Sequence, residues 1–76
     1  MKELLELIAK SLVDEPDQVE VNQVDSARLV ILELRVAPDD MGKVIGKQGR
    51  IAKAIRTVVS AASVKEDKRV VVEIVQ

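Results

Sequence analysis

The sequence predicts an α+β domain with element order α-β-β-α-α-β, three strands packed against three helices in a single unit spanning residues 1–76. Three observations carry the prediction. Apolar residues recur at helical spacing at the N-terminus. Runs rich in Val, Ile and Leu at residues 19–24, 28–36 and 70–75 have the composition of strands. Between the second and third runs, Gly46 and Gly49 split a helical stretch into a short helix and a long one.

The elements follow in order. Leu4, Leu5, Ile8 and Leu12 share one helical face, with Glu3, Glu6 and Lys10 elsewhere on the wheel, so residues 2–14 read as an amphipathic helix. Pro16 ends it, because the residue before a proline is pushed out of the helical region. VEVNQV (19–24) alternates as a strand does, and Asp25-Ser26 reads as a turn. RLVILELRV (28–36) starts apolar on both faces and then sets Leu32, Leu34 and Val36 against Glu33 and Arg35, the pattern of a central strand covered by helices. Pro38 opens the next helix, and Asp39 and Asp40 in its first turn complement its dipole. The helix from Arg50 to Ala62 carries Ile51, Ile55, Val58, Val59 and Ala62 on one stripe, while Lys53 and Arg56 stand off it, free to face solvent or a ligand. KEDKR (65–69) is a charged turn, and VVVEIV (70–75) is the last strand. No repeat, linker or low-complexity tail interrupts the order.

Composition excludes much chemistry. The 76 residues include no Cys and no His, which removes the usual zinc ligands, the commonest general base and the best thiol nucleophile. Neither a metal nor a cofactor is expected. Catalysis would have to rest on carboxylates, and Asp39 and Asp40 are explained by a helix start, so no enzyme is expected. Without Cys there is no disulfide framework, and the expectation is a reducing, cytoplasmic setting. No run approaches the roughly 18 apolar residues of a membrane span. MKELLELIAK, with two glutamates in its apolar run, does not read as a signal peptide.

The formal net charge of −1 conceals a strong asymmetry. Residues 1–40 hold four basic and ten acidic side chains. Residues 41–65 hold six basic ones (Lys43, Lys47, Arg50, Lys53, Arg56 and Lys65) and no acid. One basic segment on an acidic body is a footprint of polyanion binding, set against the plainer reading of a solvated helix face.

GKVIGKQGR (42–50) lies at the centre of that segment. A phosphate-binding P-loop needs G-x-x-x-x-G-K-[ST] after a strand. Here Gly42 to Gly46 is one residue short, Gln48 replaces the hydroxyl, and the loop joins two helices. The dinucleotide fingerprint fails on spacing and context as well. What remains is Gly46-Lys47-Gln48-Gly49 immediately before a long helix. Its bare backbone and free helix N–H groups face outward beside Lys47 and Arg50, which suits a sugar–phosphate backbone and requires no metal. A glycine cap on the first helix would explain the glycines but not the gathered cations.

VIGKQGRI (44–51) resembles the I-G-x-x-G signature of KH domains, which clamp about four nucleotides of backbone with that loop. A helix and a strand ahead of a β-α-α-β core resemble the bacterial type II arrangement. PDDMGKVIGKQGRIAKAIRTVVSAA, in a chain of this length, is similar to the small bacterial KhpA (YlqC) family of RNA-binding proteins. The resemblance covers the whole chain. It implies a non-catalytic single-stranded RNA-binding protein, an RNA chaperone or post-transcriptional regulator linked to cell elongation and division.

It also implies residue roles. Gly46 and Gly49 lay the loop against phosphates, and Lys47 and Gln48 point at them. Lys43, Arg50 and Lys53 contact backbone on either side. Ile45, with Val44, lines an apolar groove floor, and the strand Arg28–Val36 forms the far wall. Ile51 and Ile55 go to the core. The implied partners are a second copy of the chain, a larger protein of the KhpB (Jag/EloR) type, or both. Val58-Val59-Ser60-Ala61-Ala62 is a candidate surface for them, although core packing is the expected use of that stretch. With no Phe, Tyr or Trp, stacking of bases on aromatics is absent, so affinity should be modest and salt-dependent. A second reading makes the domain a protein–protein adaptor whose KH surface is mainly a dimerisation interface.

Overall fold

A computed structural model describes all of residues 1–76. The elements are α1 (Lys2–Leu12), β1 (Glu20–Asp25), β2 (Leu29–Arg35), α2 (Met41–Ile45), α3 (Arg50–Ala62) and β3 (Arg69–Ile74), with single 3₁₀ turns at Pro16–Gln18, Pro38–Asp40 and Lys47–Gly49. Element order and type match the reading above, and the α+β class stands. The sheet has the order β1-β2-β3. β1 runs antiparallel to β2, and β3 runs parallel to it. The hairpin between β1 and β2 closes where the Ser26 N–H donates to the Leu29 carbonyl at 2.8 Å.

Period-two alternation decides which side of the sheet the helices cover. Leu32 and Leu34 of β2 are fully buried, and their neighbours Val21 on β1 and Val72 on β3 point the same way. Leu5 and Ala9 of α1, Val44 of α2, and Ile55 and Val59 of α3 close over them as one core. Each fully buried Leu contributes on the order of 1.5–3 kcal/mol, which matters in a domain this small.

Two expectations need correction. β2 is central, but helices cover only one of its faces. On the other face Ile31 lies between Val24 and Val71 in register, an apolar row shielded by its neighbours rather than by a helix. Second, α1 stops at Leu12 instead of residue 14, and Val13 is already extended at φ −98° and ψ 161°. The reason is tertiary. The Asp14 and Glu15 N–H groups donate to the Asp40 carboxylate at 3.2 and 3.0 Å, which draws the chain out of the helix before Pro16 can act. Asp40 is therefore more than a first-turn acid: its side chain is buried and joins the end of α1 to the start of α2.

Candidate nucleic-acid interface

The loop between α2 and α3 is built on three residues with positive φ. Gly46 sits at φ 76° and ψ 172°, Gln48 at φ 59° and ψ 25°, and Gly49 at φ 73° and ψ 15°. The Gly46 N–H closes α2 on the Gly42 carbonyl at 2.8 Å, and the Gly49 N–H returns to the Gly46 carbonyl at 3.1 Å. The chain thus turns sharply outward at Gly46 and re-enters a helix at Arg50. At Gly46 a Cβ would lie 2.5 Å from Ile51 Cγ1. No side chain caps the N-terminus of α3; the Arg50 N–H closes on the Lys47 carbonyl, and the positive end of the helix dipole points at the loop.

Lys47, Gln48, Arg50 and Lys53 are all exposed around this turn, while Gly46 and Gly49 are half-buried. The Arg50 Nη2 donates to Gln48 Oε1 at 3.2 Å, so the guanidinium is held beside the loop. None of Lys47, Arg50 and Lys53 has a carboxylate within ion-pair distance; both ion pairs in the molecule belong to Lys43. Its ammonium sits 2.7 Å from Asp14 Oδ2 and 3.5 Å from Asp40 Oδ1. The Asp14 carboxylate, with help from Asp40, holds the Lys43 ammonium above the ordinary lysine value against partial desolvation. Burial alone would push the Asp40 carboxyl up. The two backbone N–H donors and Lys43 outweigh it, so the group lies below the usual carboxylate value. Of the cations expected at the backbone, Lys43 is the one already engaged by the fold.

The apolar wall also differs from expectation. Val44 is fully buried in the core and cannot line a groove, and Ile45 is half-buried against that core. β2 is flanked on both sides by strands, so it cannot wall a groove beside α3. β3 does so instead. A groove of about 400 Å³ runs there, lined by Arg56, Ser60 and Val64 on one side and Val70–Val72 on the other, with Lys68 and Arg69 also at its lip. An open hollow between Lys53, Arg56, Thr57 and Ser60 continues it toward the loop. The cationic surface therefore extends from Lys47 along α3 to β3. Arg56 counts in the basic segment and stands free to face a ligand, but the resemblance gives it no contact, and Lys68 and Arg69 lie outside the segment. Arg56 was legible from its three-residue spacing after Lys53; Lys68 and Arg69 were masked by Glu66 and Asp67 beside them.

The end of α3 does not pack as expected. Of Val58 to Ala62 only Val59 is buried; Val58 is 47% exposed, and Ala61 and Ala62 are open to solvent. Val64, just beyond, is 80% exposed. The helix axis carries this stretch past the edge of the sheet, so one stripe residue reaches the core and the rest form a small apolar patch.

Comparison with known proteins adds independent findings. The family model described as KhpA/KhpB, KH domain matches residues 2–74. RNA-binding protein KhpA of Clostridium acetobutylicum is 73% identical over 75 residues, covering 99% of this chain and 100% of the relative. That of Clostridium perfringens is 71% identical at the same coverage, and that of Aquifex aeolicus 51% identical over 100% of this chain and 96% of the relative. Among solved structures, a crystal structure of Aquifex aeolicus Era superposes with a TM-score of 0.67 at 19% identity. The match covers 96% of this chain but only 28% of Era, a likeness of fold alone.

Proposed function

The chain belongs to the KhpA/KhpB family of KH domains, and from that premise we propose that it is a non-catalytic RNA-binding protein whose Gly46–Gly49 loop clamps a single-stranded backbone. The observation that carries this reading is the outward turn at Gly46–Gly49, ringed by unpaired Lys47, Arg50 and Lys53 at an uncapped helix start. Phosphates sit against the loop backbone, with Lys47 and Gln48 aimed at them and Arg50 and Lys53 following the strand. Ile45 supports the loop from the half-buried side. Lys43 contributes less, because two carboxylates already offset its charge. Such a protein acts as a cytoplasmic RNA chaperone or post-transcriptional regulator, in the service of cell elongation and division.

The test is a titration of single-stranded RNA at two salt concentrations, with the wild type and with Lys47→Asp/Gln48→Asp. Weaker binding at the higher salt, and near-abolition in the double variant with an unchanged circular dichroism spectrum, is the expected result. Binding by the double variant at wild-type strength would reject the site.

The patch of Val58, Ala61, Ala62 and Val64 supports a second element of the reading, partnering with another copy or with a KhpB (Jag/EloR)-type protein. A single modest groove gains affinity when linkage doubles it. Sedimentation of wild type and Val58→Asp checks this: the variant should be monomeric. If self-association survives while no RNA binds, the adaptor reading takes precedence.

A further inference from the structure

The groove between α3 and β3 contains an arginine that backbone clamping does not use. Arg56 Nε donates to the Val72 carbonyl at 3.3 Å. Val72 belongs to β3, an edge strand whose outer side has no strand partner. The bond therefore pins the guanidinium over the strand edge. No carboxylate engages it. With Nε committed, the N–H groups of Nη1 and Nη2 remain, a planar fork of donors with no acceptor capacity.

The surroundings say what the fork meets. The groove's volume of about 400 Å³ lies within the roughly 300–1,000 Å³ of small-ligand pockets. Val64, Val70 and Val71 supply aliphatic surface, Ser60 and Ser63 supply hydroxyls, and Lys68 and Arg69 stand at the lip, while the Val72 side chain is buried in the core. A flat base gains by covering the aliphatic surface, and the cations at the lip suit the phosphates on either side of that base.

Resting on the RNA-binding reading, we propose that Arg56 is a specificity-determining residue, reading the edge of one unstacked base that offers two adjacent acceptors. Guanine offers O6 beside N7, and cytosine offers O2 beside N3; both edges are open in an unpaired strand. Adenine and uracil nowhere set two acceptors side by side, so a donor-only fork finds no matching edge on them. The groove favours guanine or cytosine and disfavours adenine and uracil.

The experiment compares four short RNAs by fluorescence anisotropy: oligo(A), oligo(U), oligo(C), and oligo(U) with guanine at alternate positions. The wild-type chain should bind one or both of the last two at least about fivefold tighter than the first two, and which of them gains identifies the base. Arg56→Lys keeps the charge but not the fork, and should bring all four affinities together. Wild-type binding without that preference overturns the proposal, as does a preference that survives Arg56→Lys. A uniform loss on all four RNAs in Arg56→Gln, with a salt slope shallower by about 0.7, identifies a phosphate contact and also overturns it. Failure of every RNA to bind rejects the RNA-binding reading itself, and this inference with it.

Discussion

Gly46 and Gly49 are the same residue type serving different needs. At Gly46 both conformation and space demand glycine: its φ and ψ fall in a region open essentially to glycine alone, and Ile51 occupies the place of a Cβ. At Gly49 only the left-handed conformation matters, since nothing lies within 4 Å of where a Cβ would be. Gly49→Ala should therefore cost about 1 kcal/mol and lower Tm by about 5 °C. Gly46→Ala should lower it at least about twice as far, because Ile51, half-buried and packed against the core, must also shift to admit the Cβ. Thermal unfolding of the two variants checks the order; equal shifts would mean that Ile51 yields. The two glycines were legible in the spacing I-G-x-x-G. The occlusion by Ile51 was not, because it depends on where α3 starts relative to α2.

Among the elements, α1 and α2 are joined through one buried carboxylate. Asp40 accepts from Asp14 and Glu15 N–H and from Lys43, and so sets the end of α1, the turn before β1 and the base of the helix that carries Gly46. Its pKa is lowered in the fold, so its contribution is complete above the unfolded carboxylate value and is lost as pH falls through the folded one. Lys43 is raised, so its contribution holds below the unfolded lysine value and fades only in strong alkali. Asp40→Asn sets an amide donor where a carboxylate oxygen accepts, and should lower Tm at neutral pH by at least about 5 °C. The gap between variant and wild type should close as pH drops below about 4. A gap that stays constant into acid would show that the carboxylate charge is not what holds the tie. Nothing in the local sequence around Asp14 announces this contact, since its partners are 25 and 26 residues apart.

For the whole molecule, charge distribution matters more than its sum. A net of −1 conceals three free cations around one loop and others along the groove. If Lys47, Arg50 and Lys53 each displace a counterion from single-stranded RNA, log K against log salt should have a slope of about −2 or steeper. Lys47→Gln should reduce its magnitude by about 0.7. Lys43→Gln should instead lower Tm and leave the slope nearly intact, because its ammonium is already paired with Asp14 and Asp40. A slope that responds to Lys43 as strongly as to Lys47 would return Lys43 to the backbone contact.

What the chain's own order determined is local. Period and composition set the α-β-β-α-α-β order, glycine spacing set the loop, and the count of charges placed the cations at 43–56, all from interactions between near neighbours in sequence. What tertiary structure decided is which of those side chains are free. Lys43 is paired, Val44 is buried, Val58 is exposed, and β3 rather than β2 stands beside α3. The physical reason is that burial and pairing depend on which elements meet. A parallel β3 inserted next to β2 moves the edge of the sheet, and with it the groove, to residues that the loop motif does not contain.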